Sequence, residues 1–301
     1  MDVSNISRRM IGFLLQKPKK WTSEHIRTLN VEEKGTISAA EMVGQKNLPD
    51  EGDQGVFLND LEYHVFMEPT REDIFRTRYD QFSHPENAFS AVFYEISGLT
   101  YLIPENHEPN SIPLSSILFW MIVACYGLGV IWKQSGPLQF HLPLFKIKGN
   151  LKCPGAIGRL HKGENEEFSP LIIYNFMKGS TEENKIKGEV PYGLFLIFAA
   201  FNKDSDRGEY ASFVINMRHT SLTSLQITKL VASGSYLQAL CQGKPLVEHL
   251  KIYRSQEFDL VEPEGRKAFL VMFVGVVNYV MKSPEGSESK TPFLRSQEST
   301  R

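Results

Sequence analysis

Cysteine is scarce in this chain, and the three present, Cys125, Cys153 and Cys241, stand far apart. No CxxC or Cys/His ligand spacing occurs. Neither a disulfide framework nor a structural zinc centre is therefore expected, and a reducing compartment is the simpler setting. Charge of one sign is lacking too: 33 Lys and Arg stand against 35 Asp and Glu, a formal net charge of −2. That balance excludes a whole-surface field for nucleic acid or anionic lipid, so any such binding must come from local clusters. No secretory leader is read at the N-terminus. Its apolar patch, Met10 to Leu15, is short, broken by Gly12, and followed by no small-residue cleavage site.

Signatures of chemistry are missing as well. The segment 149–163 is rich in glycine but lacks the Lys-Ser/Thr ending that holds phosphate and magnesium, and it does not read as strand–loop–helix. Gly155 and Gly158 form a GxxG, the spacing with which KH domains clamp an RNA backbone, yet the flanking α/β pattern is not evident. "NKDSDRGEY" places Asp204 and Asp206 at calcium-ligand spacing. However, Arg207 takes the glycine position and Phe213 the position of the bidentate glutamate, so a hairpin loop is expected instead. The eight histidines show no metal-site spacing, and no G-x-S-x-G elbow is present. Cys153 lies in a basic setting that would lower a thiol pKa; an inert cysteine is the simpler reading. No catalytic residue, metal or cofactor is assigned.

What is present is apolar material. The 301 residues are 42% hydrophobic, enough to bury a substantial core. From Pro109 to Trp132 there is no charge at all, a length that would span a bilayer as a helix. Pro113, Ser115 and Ser116 make its first part polar, and Gly127 and Gly129 interrupt its second. The expectation is a core helix from about Ser115 to Tyr126, capped by Ser111 and ended by Gly127. The alternatives are a single span over 113–132 and a shallow membrane-inserting element.

The rest reads as alternating short elements. Thr22 or Ser23 caps a helix over 24–29, and Ser38 to Met42 begins another. Residues 44–55 are a polar linker. Strand-like density follows at 56–68 and 87–104. Leu138, Phe140, Leu142 and Leu144 alternate along a strand that Pro143 confines to an edge or bulge. The runs 193–201 and 209–217 read as a β-hairpin joined by "NKDSDRG". Strands are expected at 222–232 and 250–261, with a short helix over 235–243 stopped by Gly243 and Pro245. Residues 266–282 are apolar on every side, five valines favouring a strand and the length favouring a helix.

The fold class expected is α+β: a short helical N-terminal part, then a β-rich, mainly antiparallel body with one or two buried helices. The organisation expected is a basic helical segment with an acidic linker over 1–55, a core domain over 56–282 and a tail without apolar periodicity over 283–301.

Two basic–apolar clusters carry the functional expectation. Arg8, Arg9, Lys17, Lys19 and Lys20 flank the N-terminal apolar patch, the composition of a helix lying on an anionic membrane. Lys146, Lys148, Lys152, Arg159 and Lys162 follow one another with no acid from Gln139 to Gly163, and Phe145 and Leu151 are interleaved. Together they point to a non-enzymatic assembly or transport protein that self-associates and binds an anionic membrane surface, single-stranded nucleic acid or both, without a small-molecule cofactor. A viral matrix or movement protein shares this profile, and a cytoplasmic, peripherally membrane-bound location fits it. The rivals are an enzyme whose site assembles from dispersed residues and a single-pass membrane protein.

Overall fold

The computed structural model of the chain describes residues 21–49, 67–76, 132–135, 137–161, 167–177, 182–218 and 221–282. The expectations for 1–20, for the strands at 56–66 and 87–104, for the charge-free stretch 109–131 and for the tail 283–301 lie outside these residues.

In chain order the elements are α1 (Ser23–Thr28), β1 (Val31–Thr36), α2 (Ala39–Val43), α3 (Arg71–Arg76), β2 (Trp132–Ser135), β3 (Leu138–Leu142), β4 (Ile147–Leu151), β5 (Gly155–His161), β6 (Glu167–Met177), α4 (Glu182–Lys203), β7 (Glu209–Arg218), β8 (Ser221–Ser233), α5 (Gly234–Gln242), β9 (Leu250–Arg254), β10 (Phe258–Asp259) and α6 (Pro263–Lys282). The protein is α+β. An eight-stranded mixed sheet runs β1-β9-β8-β7-β6-β5-β2, with β10 added beside β8, and β3 and β4 form a separate two-stranded sheet. Most neighbours are antiparallel, but β6 pairs β7 in parallel and β1 pairs β9 in parallel.

The parallel pair corrects one expectation. Residues 193–201 are not the first strand of a hairpin; they belong to α4, and "NKDSDRG" joins a helix end to β7. Two parallel neighbours need a crossover of a dozen or more residues, and α4 supplies it. Pro191 and Gly193 disguised the helix in the sequence. Gly193 has a reason to be there: a Cβ would stand 2.3 Å from Leu230 Cδ1, so the helix rides directly on β8. Residues 266–282 resolve as a helix as well, α6, in which burial overrides the strand preference of its valines. The 250–261 segment is two strands, β9 and β10, separated by Ser255, Gln256 and Glu257.

Local chemistry sets several boundaries as expected. Thr22 caps α1, its Oγ1 accepting from the His25 backbone N–H while the His25 ring pairs with the Thr22 N–H. Ser38 caps α2 through a reciprocal pair with Glu41. Gly243 ends α5 with φ of 66°, a conformation that glycine adopts without cost.

Side chains alternate across the main sheet and build a core on each face. Phe213, Ile215, Met217, Leu225 and Ile227 meet α6 and α2 on one side. Val214, Leu230, Ile252 and Ile173 meet α4 on the other. The β3–β4 hairpin then covers α4 from outside: Phe145 meets Phe198 at 4.2 Å with the rings tilted, and Phe140 meets Phe195 at 5.3 Å, centroid to centroid. Phe195 lies about 200° around the helix from Gly193, which faces the sheet. The layers are therefore hairpin, α4, sheet and α6. A helix covered from both sides must be apolar all round, and 193–201 is. No helix of the described residues is long and apolar enough to cross a membrane.

Candidate functional site

The hairpin is a small amphipathic sheet. Its register sets Leu138 against Leu151, Phe140 against Gly149 and Leu142 against Ile147, and these face α4. The alternate pairs, Gln139 with Asn150 and His141 with Lys148, face outward. Pro143 lacks the N–H a strand would need and opens a 3-10 turn, Pro143–Phe145, so Leu144 leaves the alternation expected for it. Leu144 points out at 44% exposure while Phe145 is fully buried. Lys146 follows in the left-handed region, φ 53° and ψ 40°, which turns the chain back into β4. The Leu144 N–H donates to Asn202 Oδ1 at 3.0 Å and ties the turn to the end of α4. Tyr192 Oη donates to the Lys152 carbonyl at 3.4 Å and ties the other end.

Lys146 in the turn, Lys148 on the outward side of β4 and Lys152 just past its end are all exposed. The hairpin, residues 138–152, contains no acid. Arg159 does not join them. It lies on β5 of the main sheet, against α6, with Nε and Nη2 donating to Met281 Sδ at 3.3 and 3.0 Å. Burial there pulls its pKa below the ordinary guanidinium value. The basic run is continuous in sequence, but the chain passes from one sheet to another at Pro154, and that divides it. Lys162 and the N-terminal group Arg8, Arg9, Lys17, Lys19 and Lys20 lie outside the described residues. The interleaved Phe145 and Leu151 face inward, both fully buried.

Gly155 and Gly158 sit within strand β5, not in a loop. A Cβ on Gly158 would stand 2.1 Å from the Ser169 carbonyl oxygen, so this glycine serves close strand approach beside a register shift. Cys153 is buried and its thiol is pushed up to about 12 by desolvation, outweighing hydrogen bonds from the Leu138 and Gly155 backbone. The basic sequence around it does not activate it. Among the described residues no group of three His, Cys, Asp or Glu is placed to hold a metal ion.

A second constellation was invisible in the sequence. Glu189 on α4 is fully buried, its carboxylate accepts a hydrogen bond from Arg254 Nε on β9 at 3.0 Å, and Arg254 Nη2 stands in ion-pair contact with it at 2.9 Å. Arg254 Nη1 reaches Glu33 on β1, whose side chain is one-third exposed at 34%. Asn216 on β7 donates to Thr228 Oγ1 at 3.0 Å and to Glu189 at 3.4 Å. Asn175 on β6 donates to the Gly188 carbonyl at 3.1 Å. Burial opposes the charge on Arg254, but Glu189 and Glu33 overcome it and hold the guanidinium above its ordinary pKa. These contacts make the network a brace joining β1, β9, α4 and the centre of the sheet. Its members are 221 residues apart at the extreme, beyond any local pattern.

Among the described residues an open groove of about 400 Å³ is lined by Leu144, Phe201, Ser205, Gln238, Cys241 and Gln242 at the foot of the hairpin turn. No protein-family model matches this chain, and no curated protein matches it either.

Proposed function

We propose that the protein is a non-enzymatic, peripheral binder of anionic surfaces, and that the outer side of the β3–β4 hairpin makes the contact. One observation carries this reading: Lys146, Lys148 and Lys152 are exposed along a hairpin that contains no acid of its own and whose opposite side packs into the core. Lysine is a compact cation suited to phosphate groups without selecting a sequence. The N-terminal basic cluster would add to the same attraction. Assembly into oligomers belongs to the reading too, but not through β1. That edge strand carries Glu32, Glu33 and Lys34 and a register shift, devices that discourage edge-to-edge pairing.

Binding of the full chain to anionic vesicles and to a single-stranded oligonucleotide, with and without K146E/K148E/K152E, tests this. The parent should bind at least one of the two at low salt. The triple variant should lose most of the affinity and flatten the salt dependence by a slope of roughly 2–3 in log K against log salt. Absence of binding in the parent, or equal binding by the variant, contradicts it.

A further inference from the structure

We infer that the anionic partner of the hairpin is a lipid surface and that Leu144 enters it. This rests on the anionic-surface reading above and narrows it to one class of partner.

The first observation is the tip. Leu144 and Val247 are the large apolar side chains exposed among the described residues, and only Leu144 adjoins the lysines. It projects from a 3-10 turn held by a hydrogen bond to Asn202, with exposed Pro143 before it and Lys146 two residues after it. An apolar tip with Lys146 beside it and Lys148 next along β4 matches a bilayer, where hydrocarbon lies beneath a layer of phosphate and carboxylate. The tip is preorganised, so little ordering cost falls on binding.

The second observation is what the surface withholds. Proteins that hold single strands present aromatic side chains on which bases stack. The two phenylalanines of this hairpin face the other way, Phe145 against Phe198 at 4.2 Å and Phe140 against Phe195 at 5.3 Å. The outer side offers Gln139, His141, Lys148 and Asn150 instead. Charge attracts either partner; the inward phenylalanines and outward leucine favour lipid.

The experiment compares the full chain, L144S and L144F on mixed phosphatidylserine–phosphatidylcholine vesicles, pure phosphatidylcholine vesicles and a single-stranded oligothymidylate. The parent should prefer the phosphatidylserine vesicles. L144S should weaken that binding about 3- to 10-fold with all lysines intact, since it removes roughly half of a leucine's burial. L144F should bind at least as well as the parent, which separates insertion from misfolding. Oligothymidylate binding without vesicle binding overturns the lipid assignment and leaves the anionic-surface reading standing. Vesicle binding unchanged in L144S overturns insertion. Binding to neither overturns both.

Discussion

Arg254 and Glu189 face each other across the sheet–helix interface, two opposite charges with side chains 5% and 0% exposed, closed by a contact of 2.9 Å. Removing one partner of such a pair leaves the other charged in a dry setting, at a cost of about 3–5 kcal/mol. E189A is expected to lose stability on that scale in urea denaturation. E33A should lose about 1 kcal/mol or less, because Glu33 is partly solvated. The double variant E189L/R254M, which removes both charges, should recover much of the E189A loss. Equal costs for E189A and E33A would refute the role of brace.

Gly158 tests the strand reading of the GxxG. G158A must move the Ser169 carbonyl or part β5 from β6, since its Cβ would arrive at 2.1 Å. A loss of about 1–3 kcal/mol is expected, as for overpacking. G208A, where a Cβ meets nothing within 4 Å, should stay within about 0.5 kcal/mol of the parent. Thermal or urea unfolding distinguishes them, and a neutral G158A would contradict the register.

Cys153 should be unreactive. Burial pushes its thiol up to about 12, so almost no thiolate exists near neutral pH. Residue-resolved alkylation at pH 8 should leave Cys153 unmodified in the folded protein and modify it on unfolding. Labelling at the rate of a free thiol would place it on the surface.

Glu41 gives a pH dependence with a defined sign. Hydrogen bonds from the Ser38 side chain and backbone hold its carboxyl below the ordinary value. A carboxylate with a depressed folded pKa contributes stability that is fully present above its unfolded pKa and is lost as pH falls through its folded pKa. The parent should melt above E41Q at pH 7, and the gap should close on acidification below the ordinary carboxylate range. A gap that stays constant or widens there would contradict the capping account.

Local signals made much of the fold legible. Thr22, Ser38 and Gly243 marked helix ends because caps act through neighbouring backbone groups. The alternation at 138–142 marked β3 because one side of a strand is buried and the other is not. α4 was misread because Pro191 and Gly193 are breakers in isolation, yet residues 193–201 hold only one β-branched residue, Ile197, a composition suited to a helix. α6 was undecided because a segment buried on every side shows no period. The lysines of the hairpin were legible as a cluster; the departure of Arg159 to the far side of the sheet was not, since it depends on where the chain changes sheets. The Glu189–Arg254–Glu33 brace was beyond reach, because its members meet only once the sheet has formed.

Amide hydrogen exchange of the full chain, with and without phosphatidylserine-containing vesicles, locates the contact directly. Slowed exchange is predicted over the hairpin turn, residues 143–148, on adding anionic vesicles and not on adding neutral ones. Vesicle binding that leaves these amides unchanged and protects another part of the chain would contradict the account.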